Sequence, residues 1–333
     1  MGQALHVENL KTHYRTRLRE YVYAVDGVSF ECKEGEVIGI AGESGCGKST
    51  LALSLMGFYF APLHFGSGSI SINDVDIMQL SHEQLRVRIL GNEIAYIPQA
   101  AMNVLNPTRR IIHFIQDILD EHKLGMTKTQ INEMVTRRFH ELNLPERALR
   151  AYPIELSGGM KQRVVIAIST ILNPKILIAD EPTSALDVTT QKVVIKMLKD
   201  MIEKGFVKSM IFITHELPIL RHVADRIFVM YAGQLVEKGP MKEVIFDPVH
   251  PYSKALMDSI IVPEEGMKTK HLESIRGEPP NLKQRMVGCR FADRCRFVTP
   301  GCRAEDVPER SYEDHTYRCI FDGAKLKEKY NRG

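Results

Sequence analysis

Residues Gly42-Glu43-Ser44-Gly45-Cys46-Gly47-Lys48-Ser49 match the spacing G-x-x-x-x-G-K-[ST]. That spacing suits phosphate. The glycines let the backbone wrap closely around phosphate oxygens, and successive N–H groups at a helix start supply donors and positive potential. Lys48 would reach the β- and γ-phosphates, and the Ser49 hydroxyl would ligate Mg²⁺, with Thr50 next in line. Cys46 takes part through its backbone N–H, not its thiol. Further along, Lys175-Ile176-Leu177-Ile178-Ala179 ends in Asp180-Glu181. A buried strand delivers Asp180 at its carboxyl end, where open α/β sheets bind ligands. Asp180 can then hold the magnesium shell, while Glu181 polarises water for in-line attack on the γ-phosphate. Together these residues predict a Mg-dependent nucleoside triphosphatase.

A second anion site follows from Leu156-Ser157-Gly158-Gly159-Met160-Lys161-Gln162-Arg163. Ser157, Gly158 and Gly159 open an apolar helix, so a hydroxyl and free N–H groups gather at its start. One nucleotide needs one phosphate loop. A second phosphate-seeking helix end is explained if it caps nucleotide held by a partner subunit.

The elements that must carry these residues are legible as hydrophobic patterns. Val37–Ala41, Ile176–Ala179 and Ser209–Thr214 are apolar runs, as for strands buried on both faces. Residues 4–8 and 28–32 predict strands, 66–77 a strand and turn of an antiparallel element, 50–56 a helix, and 111–149 a helical insertion. Alternating β and α segments predict an α/β fold with a mostly parallel sheet. Near residue 247 the texture turns rich in Pro and Gly, with DPVHPYSKAL, then EEGMKTKH and RGEPPNL. That shift marks a second, smaller unit over 248–333.

The string LSGGMKQR resembles the signature of the ATP-binding cassette (ABC) family, and further segments match that family in order. Gln99, in Ile97-Pro98-Gln99, resembles the glutamine loop that touches Mg²⁺ and couples to membrane subunits. Asp187, in Pro182-Thr183-Ser184-Ala185-Leu186-Asp187, resembles the residue reaching toward the partner protomer. His215 resembles the switch histidine at the γ-phosphate. Asp26-Gly27-Val28-Ser29-Phe30 and Gly35-Glu36 resemble the run before the phosphate loop. Tyr14 aligns with the aromatic that stacks on adenine, with Tyr23 as competitor. The resemblance covers residues 1–247. It implies a RecA-like, mostly parallel core with an antiparallel β subdomain and a helical subdomain at about 100–160. It also implies ATP and Mg²⁺ as ligands and a second, identical or homologous, ABC ATPase subunit as partner.

Pro248-Val249-His250-Pro251-Tyr252-Ser253-Lys254-Ala255-Leu256, Gly277-Glu278-Pro279-Pro280 and Gly288-Cys289-Arg290-Phe291-Ala292-Asp293-Arg294-Cys295 resemble the extension of the oligopeptide and dipeptide importers, the dipeptide importers above all. The resemblance implies peptide import powered through two membrane permeases, with a substrate-binding protein upstream. It also implies a cytoplasmic location on the inner face of the cell membrane. Nickel and oligosaccharide importers share this extension and stand as alternatives. ABC proteins acting on nucleic acid or ribosomes are the more distant one. The former need long coiled-coil insertions, and the latter usually carry two cassettes per chain.

Six cysteines complete the inventory, and Cys289, Cys295, Cys302 and Cys319 fall close together with spacing C-x5-C-x6-C-x16-C. In a cytosolic protein, clustered thiols point to metal before disulfide. No tight C-x2–4-C turn of zinc-ribbon type occurs, so a [4Fe–4S] cluster is expected ahead of Zn²⁺, with His315 as a substitute ligand and reduced, metal-free thiols as the remaining possibility.

The whole chain frames these expectations. It has 333 residues, enough at roughly 150 residues per domain for two units. Its 44 Lys and Arg against 41 Asp and Glu leave a formal net charge of +3, which argues against a DNA-coating surface. Around the clustered cysteines, arginines 290, 294, 296, 303, 310 and 318 are matched by acids 293, 305, 306, 309, 313 and 314, so no nucleic-acid partner is expected there. The apolar runs are far shorter than the ~20 residues that span a bilayer. The first residues lack an apolar run of secretory type.

Overall fold

The computed structural model describes residues 2–259 and 275–331, so the stretch EEGMKTKH lies outside the described residues. In chain order come strands β1 (Gln3–Arg15), β2 (Tyr21–Lys33) and β3 (Val37–Ala41), then helix α1 (Lys48–Leu55). Next are β4 (Leu63–Ile72), β5 (Val75–Asp76) and the one-turn helix α2 (His82–Gln84), which runs on as a π-helical turn, Leu85–Ile89. β6 (Ile94–Ile97) precedes helices α3 (Ile111–Glu121), α4 (Lys128–Glu141), α5 (Arg147–Arg150) and α6 (Gly158–Ser169). β7 (Ile176–Asp180), α7 (Val188–Glu203), β8 (Ser209–Ile213), α8 (Leu217–Val223), β9 (Arg226–Tyr231) and β10 (Gln234–Pro240) follow. The chain continues through α9 (Met241–Phe246), α10 (Pro251–Asp258), β11 (Glu309–Tyr312), β12 (His315–Arg318) and α11 (Gly323–Asn331).

These elements gather into two compact units, each drawn from several stretches of chain. One takes Met1–Ala4, Lys33–Gly35 and Ser71–Ile211; the other takes Leu5–Cys32, Glu36–Ile70 and Phe212–Gly333. The chain passes from the first to the second within β8.

In the first unit β6 and β7 pair in parallel, with Ile97 opposite Ala179, and every residue of β7 is buried. A parallel strand covered on both faces has no solvent side to fill with polar residues, hence ILIAD. The insertion is helical as its periodicity demands. α3 buries Ile111, Ile115 and Leu119, one turn apart, and α4 buries Ile131, Val135 and Phe139. Thr127 starts α4 with a capping box: its side chain accepts from the Gln130 N–H, and Gln130 answers the Thr127 N–H at 2.8 Å. α6 buries five consecutive residues from Val164 to Ile168, so it is a core helix with little polar face.

In the second unit β3 pairs in parallel with β9, Gly39 opposite Ile227. β9 and β10 form an antiparallel hairpin closed by Ala232 and Gly233, both at positive φ as a two-residue turn of this hand requires. β12 adds to the far edge of β10, with Glu237 opposite Tyr317, and β11 pairs with β12. The residues after 248 therefore extend the same sheet as β3. β2, β1 and β4 lie side by side in another sheet. Among the described residues no helix is long and apolar enough to cross a membrane.

Candidate nucleotide-binding and hydrolysis site

The phosphate loop, Gly42–Ser49, connects the buried strand β3 to the first turn of α1. Gly47 sits at the N-cap of α1 with φ 110, and a Cβ there would lie 2.1 Å from the Ala24 carbonyl oxygen. No other residue fits that turn. Lys48 is 6% exposed and folds back onto its own loop. Its ammonium donates to the Gly42 and Glu43 carbonyl oxygens at 2.7 and 2.9 Å and contacts Cys46 Sγ at 3.7 Å. A cation satisfied by neutral carbonyls is one that phosphate oxygens can recruit with charge-assisted bonds. Burial raises the Cys46 thiol above its ordinary range, so it stays neutral beside Lys48. Ser44 and Gly45 are exposed at the tip of the loop, and Ser49 is half-buried.

Tyr14 and Tyr23 belong to this same unit. The Tyr14 hydroxyl is 3.1 Å from Thr50 Oγ1, at the start of α1. Tyr23 instead has the Arg285 guanidinium over its ring at 5.2 Å, and its N–H donates to the Leu282 carbonyl. His215 follows β8 and is exposed, on a backbone anchored by the Thr214 N–H to the Ile40 carbonyl.

Asp180, Glu181, Gln99, Ser157, Gly158, Gly159 and Asp187 belong to the other unit. Asp180 ends β7 fully buried, with Oδ2 accepting from the Tyr96 hydroxyl at 3.1 Å. Gln99 Nε2 donates to Glu181 Oε2 at 3.0 Å, so the expected glutamine and the expected water-polarising acid are in direct contact. Glu181 has φ 47, in the left-handed region that non-glycine residues avoid. Ser157 caps α6, accepting from the Met160 N–H at 3.3 Å, and is exposed together with Gly158. A Cβ on Gly159 would lie 2.5 Å from Thr190 Cγ2, so the glycine lets α6 approach the first turn of α7. Asp187 caps α7 through the Thr189 and Thr190 N–H groups and the Thr190 hydroxyl. Those bonds, the Thr190 hydroxyl's first, hold its carboxyl below the usual range.

Two further residues support those that the sequence singles out. Tyr96, which holds Asp180, is one residue of a short strand. Gln162 lies within the LSGGMKQR string, where its type gave a signal, and its Nε2 donates to the Pro182 carbonyl at 2.8 Å, tying α6 to the segment after Glu181.

The expected iron–sulfur cluster is corrected here, and zinc with it. Among the described residues no group of three or more His, Cys, Asp or Glu side chains is arranged to hold a metal ion. Cys289, Cys295, Cys302 and Cys319 are free thiols. Burial pushes Cys289 up to about 12 and Cys319 up to about 11, and it raises Cys295 as well. Cys302 Sγ accepts from the Thr299 N–H at 3.4 Å, and Cys319 packs with Val249, Tyr317 and Leu326. His315, the expected substitute ligand, is buried with Nδ1 2.8 Å from Glu237 Oε1. Nearness of four cysteines in sequence thus makes no metal site among the described residues, and the chain's relatives are named simply as ATP-binding proteins.

Residues 25–184 match the ABC transporter family, and residues 236–302 match the oligopeptide/dipeptide transporter C-terminal region. The oligopeptide transport ATP-binding protein AppD of Bacillus subtilis is 40% identical over 325 residues, covering 96% of this chain and 97% of that protein. The chain belongs to the ABC transporter family. Within it, the dipeptide transport ATP-binding proteins DppD of Caldanaerobacter subterraneus subsp. tengcongensis and of Haemophilus influenzae are 36% and 38% identical. The alignments cover 92% of this chain and 92% of the first protein, and 90% and 89% for the second. A solved dimeric structure of the ATP-binding cassette MJ0796, in a post-hydrolysis state with ADP and Pi, has a TM-score of 0.62 at 27% identity. It covers 71% of this ABC-family chain and 98% of that one. The fold is thus that of an ABC ATPase cassette, mixed α/β.

Proposed function

We propose that this chain is the ATP-hydrolysing subunit of an ABC importer of dipeptides or oligopeptides. The observation that carries the reading is the similarity along almost the whole chain to peptide-transport ATP-binding proteins, the C-terminal region included. Its partners are a second ABC ATPase subunit, two membrane permeases and, indirectly, a substrate-binding protein. Its place is the cytoplasmic face of the membrane, held there by the permeases. Residues 1–247 form the nucleotide-binding domain, with a RecA-like core, an antiparallel β subdomain and a helical subdomain at about 100–160. Residues 248–333 form a small extension that carries four of the six cysteines.

The donor types in each unit suit a magnesium nucleotide. In one, a buried ammonium resting on carbonyls and the Ser49 hydroxyl are phosphate and hard-oxygen chemistry; in the other, so is the buried carboxylate of Asp180. Gly42, Ser44, Gly45, Cys46, Gly47 and Thr50 cradle phosphates, Lys48 pairs with the β- and γ-oxygens, and Tyr14 stacks on the base. By the family resemblance, Ser49, Gln99 and Asp180 would hold Mg²⁺, which would neutralise charge on the phosphates. Glu181 takes a proton from the attacking water, and His215 contacts the γ-phosphate. Ser157, Gly158, Gly159 and Asp187 serve nucleotide across the dimer.

The test separates binding from turnover. Glu181→Gln is expected to bind ATP nearly as the parent does, to stop hydrolysis, and to accumulate an ATP-bound dimer. Lys48→Ala is expected to lose nucleotide binding. Hydrolysis by Glu181→Gln at the parental rate would remove Glu181 from its role. Uptake of labelled dipeptide by vesicles carrying the assembled transporter tests the solute.

A further inference from the structure

Glu43, the second residue of the phosphate loop, is held at three points. Its carbonyl accepts from Lys48 Nζ at 2.9 Å. Its N–H donates to the Tyr252 hydroxyl at 2.9 Å. Its carboxylate is gripped in a fork by Arg294, Nη1 to Oε2 at 2.6 Å and Nη2 to Oε1 at 2.9 Å. Two of these three come from residues more than 200 positions further along the chain, in the segment after 248.

Neither distant residue is a casual surface contact. Arg294 has a side chain 4% exposed, donates also to the Tyr231 hydroxyl at 3.2 Å, and donates from Nε to the Arg276 carbonyl at 2.9 Å. Tyr252 is fully buried, with its ring 4.4 Å from that of Tyr231 and 5.3 Å from that of Phe291. Its N–H donates to His250 Nδ1, and the His250 N–H donates to the buried carboxylate of Glu237. The contact at Glu43 therefore ends a chain of buried hydrogen bonds that begins on β10.

Two consequences follow for a loop that must receive a triphosphate. A glycine-rich loop left free would have to be ordered by its ligand; one already pinned at Glu43 does not draw on binding energy for that. A carboxylate beside the phosphate site would also repel phosphate and compete for Lys48; a bidentate guanidinium cancels that charge. We infer that Arg294 and Tyr252 are positioning residues, through which the C-terminal segment holds Glu43 and keeps the phosphate loop in its nucleotide-receiving shape. This rests on the reading of the loop as the ATP site.

The experiment uses the full-length chain as parent, Arg294→Met, Tyr252→Phe, Glu43→Gln, the Arg294→Met/Glu43→Gln double variant and Lys48→Ala. Each is measured for equilibrium MgATP binding and for steady-state hydrolysis in the assembled transporter. Arg294→Met keeps the packing stem and should raise Kd and KM for MgATP about tenfold, with kcat within about twofold of the parent. Tyr252→Phe keeps the buried ring and should raise both about threefold. Adding Glu43→Gln to Arg294→Met should raise Kd little beyond Arg294→Met alone, since Arg294 acts through Glu43; losses that add would place the Arg294 effect elsewhere. Parental Kd in Arg294→Met and Tyr252→Phe, or a fall in kcat alone, or additive losses in the double variant, overturns the inference. Parental binding by Lys48→Ala would instead remove the ATP-site reading beneath it.

Discussion

His250 is neutral in the folded chain because burial lowers its pKa to about 4, against the opposing pull of the Glu237 carboxylate. An unfolded histidine takes its proton near pH 6.5. Between those values the unfolded chain binds more protons, so stability falls as the pH drops through the window and the neutral-histidine contribution is gone below the folded value. By pH 5 the loss from this group alone is about 2 kcal/mol relative to pH 7. His250→Asn, whose side chain also caps helices, should therefore show a shallower fall in its urea-unfolding midpoint from pH 7 to pH 5 than the parent. Superimposable pH profiles would rule His250 out as the source. Nothing in the sequence flags this histidine, which lies in a Pro-rich run of the kind usually exposed. The phosphate-loop residues were legible because their function depends on types at fixed short spacing. Glu43 was anonymous because its partners Tyr252 and Arg294 lie far away in sequence. The left-handed backbone at Glu181, worth about 1–3 kcal/mol for a non-glycine residue, is likewise invisible in a string of letters.

Helix α6 approaches α7 through Gly159, and the methyl of Thr190 fills the space a side chain would need. Gly159→Ala should push the two helices apart and cost about 1–3 kcal/mol, read as a lower thermal midpoint. Thr190→Ser removes that methyl but keeps the hydroxyl that donates to Asp187 at 2.6 Å, so the double variant should regain most of the loss. An unchanged midpoint in Gly159→Ala would mean that the close approach carries no energy. The sequence reading of elements worked where burial is complete. β3 is an unbroken apolar run, β7 is one up to its terminal Asp180 and β8 one after Ser209, and every residue in the three is buried. It fell short where burial alternates or partners are remote. β1 runs from Gln3 to Arg15, well beyond the expected 4–8, because most of its polar residues occupy the more exposed positions of a long strand. β6 is four residues long, and β11 and β12 are strands only because β12 finds the open edge of β10, a pairing no local pattern specifies.

The four C-terminal cysteines show the limit of reading clusters from spacing alone. Proximity in sequence predicts coordination only where the ligating atoms converge on one point, and among the described residues no group of three or more His, Cys, Asp or Glu does so. Assembly is legible for the opposite reason: a chain with one phosphate loop carries a second anion-seeking helix end, at Ser157. That end is built and open. Ser157 caps α6 with its side chain while Ser157 and Gly158 remain exposed, and Ile154 beside them is 80% exposed. A surface of this kind in a member of a family with dimeric cassettes is expected to meet the nucleotide of the partner subunit. Ser157→Arg places a bulky cation where two helix-start N–H groups must face phosphate, and it should block closure of the ATP-bound dimer. Because Ser157 is far in role from Lys48, the variant should bind MgATP with parental affinity as an isolated chain. In a Glu181→Gln background, where hydrolysis cannot drain the closed state, the parent should elute as a dimer with ATP on size exclusion and the Ser157→Arg variant as a monomer. A dimer of undiminished population, or a matching loss of ATP affinity in the isolated chain, would refute the division between a nucleotide held by one subunit and capped by the other.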